Sequence, residues 1–186
     1  MRLTTAVNAF TLVLVLASSA AAQSSGPPTN PPAAPRTQSE MYYPLYGITA
    51  GIAIPLGRLA DDHAAGYALG GLLEYAVANQ PYSLRGEALF QRFPLKDNHA
   101  GVDVNLLSVG ATVVYRLQKS STQSFVTGGI AIYNGSREGT RPGFNAGGGV
   151  EIPLTGFTAL AEGRLHFMLA DGRPILALPL TVGVRF

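Results

Sequence analysis

Leu180-Thr181-Val182-Gly183-Val184-Arg185-Phe186 alternates with a period of two. Leu180, Val182, Val184 and Phe186 point one way, and Thr181, Gly183 and Arg185 the other, as successive side chains of a β-strand must. Terminal residues of soluble domains usually fray because little holds them. An apolar strand face running to a final Phe therefore implies a terminus with a task.

Working back from this stretch, the same period recurs from Tyr42 onward, broken by turn residues at regular intervals. A first strand over Pro44–Leu56 sets Tyr46, Ile48, Ala50, Ile52 and Ile54 against Gly47, Thr49, Gly51 and Ala53. A second over Gly66–Val77 sets Tyr67, Leu69, Leu73 and Tyr75 against Ala68, Gly70, Leu72 and Glu74. A third over Tyr82–Phe93 sets Tyr82, Leu84, Ala88 and Phe90 against Arg85, Glu87 and Gln91. A fourth over Asp103–Leu117 sets Leu107, Val109, Val113 and Tyr115 against Ser108, Gly110, Thr112 and Arg116.

The fifth, Ser124–Tyr133, has two claims on its parity. Val126, Ile130 and Ile132 favour one face and Phe125 and Tyr133 the other, so the Gly128-Gly129 pair is a candidate bulge. The sixth, Phe144–Leu154, opposes Phe144, Ala146, Val150 and Ile152 to Asn145, Gly147, Gly149 and Glu151. The seventh, Phe157–Leu169, opposes Phe157, Ala159, Leu165 and Phe167 to Thr158, Glu162, Arg164 and His166. The eighth closes the chain.

Connections alternate in length. Gly57–Ala65, Pro94–Val102 and Asn134–Pro142 read as long and polar; Ala78–Pro81, Gln118–Gln123 and Pro153–Gly156 as short; Asp171-Gly172 signals a tight hairpin. The expected fold is an all-β, eight-stranded, antiparallel up-and-down transmembrane β-barrel over residues 42–186. A soluble barrel would carry the apolar face inside. The polar face here is rich in Gly, Ala, Ser and Thr, which suit a narrow interior. Aromatics gather at the strand ends of the apolar face, Tyr75, Tyr82, Tyr115 and Phe157 at one level and Tyr67, Phe90 and Phe167 at the other, as membrane interfaces select.

Composition agrees. Charged residues are 13 % and hydrophobic ones 47 % of the 186 residues, a poor match to a soluble surface. A net charge of +2 without a basic run gives no footprint for nucleic acid. The chain has no Cys, which excludes disulfides, thiolate metal sites and a lipidated cysteine. Residues 1–22 have the three parts of a secretory signal: Arg2, the apolar run from Ala9 to Ala17, and Ala20-Ala21-Ala22 before Gln23. Residues 23–41 are Pro-rich and cannot bury a core, so they read as a disordered periplasmic spacer.

The signal, the eight alternating strands, the unequal connections and Val184-Arg185-Phe186 resemble the OmpX/OmpA-type outer-membrane barrel superfamily. The resemblance implies an outer-membrane location, with both barrel ends in the periplasm. It also implies that Phe186 is the assembly signal read by the barrel-assembly machinery. It specifies architecture more than activity. Pro179 departs from the pattern: a closed barrel has no free edge for a proline, so a bulge or a missing ladder bond is expected there.

The inward set holds Arg85, Arg116, Arg164 and Arg185 with Glu74, Glu87, Glu151 and Glu162. Buried charges persist only if paired, and the short turn after Val77 sets Glu74 opposite Arg85. These eight are read as a structural network plugging the lumen rather than an ion path, because eight strands leave room only for side chains. Ala53, Ala68, Gly70 and Gly147 line a small-residue outer half that could hold a shallow outward pocket. His63, His99 and His166 fall in two loops and a strand, without metal-ligand spacing. No cofactor and no catalysis are expected. The expected role is structural or surface-interactive, in a monomer that meets outer-membrane lipids and, through its loops, an extracellular partner. The alternatives are an enzyme acting on envelope lipids and a soluble lipocalin-like carrier.

Overall fold

The computed structural model describes residues 44–77, 80–97, 99–117, 122–136, 139–170, 172 and 174–186. The expected signal and Pro-rich spacer lie outside these residues. The described residues form eight strands: β1 (Leu45–Leu56), β2 (Gly66–Ala76), β3 (Tyr82–Phe93), β4 (Val104–Arg116), β5 (Gln123–Gly135), β6 (Gly139–Leu154), β7 (Phe157–Met168) and β8 (Ile175–Arg185). Each pairs antiparallel with its neighbours, and β8 returns to β1, giving a closed barrel. A short helix, α1 (Arg58–Asp62), interrupts the first outer connection.

The pairing register is continuous and staggered. From Leu45 the inward row passes through Glu74, Arg85, Thr112, Gly129, Asn145, His166 and Ala177 and regains β1 at Pro55, ten residues farther along. A stagger of ten over eight strands tilts them by about 43° and sets a backbone radius of about 8 Å. Side chains fill such an interior.

The apolar face is outside. Ile48 and Ile130 are each 66 % exposed, while Glu74 and Arg85 are each 1 % exposed. A continuous exterior of Ile, Leu and Val is far larger than any patch a soluble monomer tolerates, and in hydrocarbon it needs no further cover. A soluble lipocalin-like carrier needs the opposite arrangement. The aromatics form two levels. Toward the outer loops Phe144 stacks on Phe167 at 4.6 Å and Tyr67 meets Phe90 at 6.2 Å. At the other rim Phe186 lies between Tyr46 and Phe157, at 5.9 and 6.3 Å.

Three local expectations need correction. β5 keeps one parity throughout: Phe125, Thr127, Ala131 and Tyr133 face in, Val126, Ile130 and Ile132 face out, and its register with β4 and β6 never slips. The glycine pair is no bulge. Two large aromatics are accepted inside because glycines oppose them; a Cβ on Gly149 would fall on the Ala161 carbonyl oxygen and 2.7 Å from the Phe125 ring. Next, Asn134–Pro142 is not a long loop. Gly135 pairs with Gly139, and Asn134 Nδ2 donates to Thr140 Oγ1 at 2.9 Å, so both strands continue beyond the expected boundary. Finally, Met168 pairs with Ile175, which makes the last connection six residues rather than a tight turn.

At Pro179 the ladder with β7 is interrupted. Pairing is present at Gly163–Leu180 and again at His166–Ala177, in the same register, with the intervening pairs missing. The gap follows from the absent proline N–H; no bulge is needed.

Gly149→Val should destabilise the refolded barrel by about 1–3 kcal/mol in a urea titration, through overpacking. Gly128→Val, whose outward Cβ meets nothing within 4 Å, should leave the midpoint unchanged. Equal midpoints would contradict the assignment of faces on β5 and β6.

Candidate functional site

Strand alternation delivers every one of the eight sequence-selected charges to the lumen, and the stagger brings them to overlapping heights. Glu74 on β2 faces Arg85 on β3 across one pair, and Arg85 Nε and Nη2 both donate to Glu74 Oε2 at 3.1 Å. Arg185 Nη1 reaches the same oxygen at 2.8 Å. Arg116 donates to Glu74 Oε1, and Ser83 Oγ donates to that oxygen at 2.6 Å. One carboxylate therefore holds three guanidiniums from three strands.

Arg116 and Arg185 also reach Glu151, Arg185 with Nη2 at 3.0 Å from Oε2 and off hydrogen-bond alignment. Glu74, Arg116, Glu151 and Arg185 thus close a ring. From Arg85 the chain of pairs continues upward. Its Nη1 donates to Glu162 Oε2 at 2.8 Å, Arg164 Nε lies 3.0 Å from Glu162 Oε1, and Arg164 donates to Glu87. Four arginines and four glutamates leave no net charge. Arg85 also lies over the Phe125 ring, 5.7 Å from its centroid, a cation–π contact that needs the inward Phe.

Above the charges the lumen changes character. Gln91, Asn145 and His166 form a buried polar layer. His166 Nδ1 lies 3.1 Å from Tyr133 Oη, with the two rings edge to face. That partner is a tyrosine, neither a serine that the imidazole would activate nor a carboxylate that would orient it as a base. Higher still come Phe93, Leu106, Met168, Ile175 and Ala177, all buried, with Leu59 of α1 inserted among them.

The outward pocket expected over Ala53, Ala68, Gly70 and Gly147 is therefore filled. Ala53 and Ala68 are fully buried, Thr49 and Leu89 occupy the room beside Gly70, and Arg164 that beside Gly147. The signal for this was a single large apolar residue, Leu59, in the loop Gly57–Ala65.

The two long outer connections are joined into a cap. His63 bridges Leu95, Ala64 N–H donates to Pro94 O at 2.9 Å, and Lys96 Nζ donates to the Ala60 carbonyl at 2.6 Å. Asp103 accepts from Leu95 N–H at 3.0 Å and from Arg92 Nη2 at 2.8 Å. The Leu95 N–H and then the Arg92 guanidinium hold the Asp103 carboxyl below the ordinary carboxylate range. Among the described residues no group of His, Cys, Asp and Glu could hold a metal ion, and His99 sits exposed in the second loop, against the Asp97 carbonyl.

No family model and no curated protein matches the chain. Solved structures do. Neisserial surface protein A aligns at 16 % identity over 76 % of this chain and 95 % of its own, with a TM-score of 0.62. The fold is that of an eight-stranded outer-membrane β-barrel. The N-terminal β-barrel domain of Pseudomonas aeruginosa OprF aligns at 18 % identity over 76 % of this chain and 97 % of its own, with a TM-score of 0.50. The outer membrane enzyme PagL aligns at 12 % identity over 77 % and 99 %, also with a TM-score of 0.50. At these identities the likeness is one of fold. It fits the resemblance to OmpX/OmpA-type barrels at that level and leaves the activity open, since one of these barrels is an enzyme.

Glu74→Gln should cost about 3–5 kcal/mol, because it takes one of two carboxylate partners from three guanidiniums at once and leaves the buried network with a net positive charge. Glu87→Gln should cost less, since Arg164 keeps Glu162. Unfolding of the two refolded variants in urea checks the order. For the cap, a carboxyl whose pKa falls on folding contributes its full stabilisation above the ordinary carboxylate pKa. That contribution is lost as pH drops through the lowered value. The protection factor of the Leu95 amide should fall on acidification, and Asp103→Asn should remove the pH step.

Proposed function

We propose that this protein is a non-enzymatic outer-membrane barrel with a structural and surface-interaction role. Its lumen is closed by the Arg/Glu network, and its outer face presents the cap to an extracellular partner. The observation that carries this reading is the closed, charge-neutral network around Glu74. It spans the lumen from β2 to β8 and holds each guanidinium by at least two contacts. An ion path needs mobile or unpaired charge and a continuous opening; a neutral, cross-braced network supplies neither.

In this reading residues 1–22 direct export and are removed, and residues 23–41 form a periplasmic spacer. The barrel over 42–186 inserts as a monomer among outer-membrane lipids. Phe186 serves the barrel-assembly machinery. Its place between Tyr46 and Phe157, with backbone bonds to Tyr46 in both directions, suits a residue that completes closure at the periplasmic rim.

A second reading, an enzyme acting on envelope lipids, draws on the likeness to PagL. The histidine that the strand pattern offers as its base, His166, is buried inside the barrel against Tyr133, away from the lipid face.

The tests are direct. The protein should fractionate with the outer membrane and show heat-dependent gel mobility. Reconstituted in planar bilayers it should pass no steady current, and open-channel conductance would overturn the plug. Deleting Phe186 should lower outer-membrane levels with export unaffected. Hydrolysis of envelope lipid that His166→Ala abolishes would establish the enzyme reading instead.

A further inference from the structure

Above the charge network a cavity of about 240 Å³ opens at the outer mouth, between α1 and the ends of β4, β5, β7 and β8. Its apolar walls are Leu59, Val104, Leu106, Met168 and Ile175. The cap that carries Leu59 is fixed on both sides: His63 N–H donates to Leu59 O at 3.1 Å, and Lys96 N–H to Asp62 O at 2.9 Å. The cavity is therefore built in place, a condition for binding without a large ordering cost.

His63 lines the same cavity and is 4 % exposed. Its Nε2 lies 3.4 Å from the Val102 carbonyl oxygen. A carbonyl oxygen can only accept, so in the neutral ring the proton sits on Nε2 and Nδ1 is an acceptor. Nδ1 is buried and, among the described residues, has no hydrogen-bond partner. The nearby Asp103 carboxylate is taken by Leu95 N–H and Arg92. An acceptor in this state gains most from a ligand that brings a donor. At the rim Arg58 and Asp62 carry opposite charges, so the site has no preference for an ionic ligand.

We infer that the mouth cavity binds a small, uncharged, largely apolar molecule carrying one hydroxyl, whose O–H donates to His63 Nδ1. A dry apolar cavity of about 150 Å³ takes benzene; the larger volume here has room for two fused rings. The site stands on the cavity and His63, not on the role of the plug, so either can fail without the other.

The probe is 1-naphthol, with naphthalene as the same shape without the donor. The reporter is the methyl group of Met168, one of three methionines in the chain and, among the described residues, the one that lines the cavity. With the full chain in phospholipid nanodiscs, 1-naphthol should shift the Met168 methyl resonance saturably. Naphthalene should need about fivefold higher concentration, the ratio expected for one net hydrogen bond. His63→Phe should erase that ratio by weakening naphthol alone, and Val104→Trp should block both.

Equal affinities for the two probes, or a ratio that survives His63→Phe, would overturn the hydroxyl assignment. A shift that grows linearly without saturating is partition into lipid and would overturn the site. The two probes on the unaltered chain decide the matter even where a variant does not refold.

Discussion

Every backbone N–H and C=O in a bilayer must find a partner within the protein, and the rest of this structure follows from that demand. It requires β8 to return to β1, and the unbroken register from Gly47–Arg185 to Leu56–Leu176 meets the requirement. Closure with a stagger of ten sets the radius, and the radius decides what can sit inside. With about 8 Å from axis to backbone, there is space for side chains only if large ones face small ones. Phe125 beside Gly149 and Arg164 beside Gly147 are the local form of that rule.

The lumen that results has three levels with different chemistry. Paired charges occupy the half nearer the Phe186 rim, amide and imidazole groups the middle, and hydrocarbon the third under α1. This order is the reverse of a water-filled pore, whose mouth would be its most polar part. The charged level is held by ion pairs among side chains on six strands, while the outer level depends on a loop residue, Leu59, docking into the barrel. The first is specified by strands alone; the second is specified by the chain between them.

That division explains which parts could be read from sequence. Strand faces follow from a period of two, so the barrel and the inward position of all eight charges were legible, as was the Glu74–Arg85 pair from one turn length. β5 misled because Phe125 and Tyr133 are large and apolar, and only a partner strand reveals the glycines that admit them inside. The filling of the outer lumen was hidden for a similar reason. Ala53, Ala68, Gly70 and Gly147 are small in themselves, but the space beside them belongs to Leu89, Arg164 and the residues under α1. The cavity at His63 depends on two loops meeting, which no local pattern records.

The interrupted pairing beside Pro179 gives the barrel a mechanical asymmetry. The seam that joins first strand to last is fully laddered, whereas β7 and β8, adjacent in sequence, are unzipped for two pairs at mid-height. A circular wall fails where its stitching is thinnest, so sideways stress from a thinning bilayer would part this one between β7 and β8. The chain's own joint would hold. Glu162 and Arg164 stand just inside that gap, and their bonds across the lumen to Arg85 and Glu87 brace β7 against β3 and leave β8 to its ladder with β1.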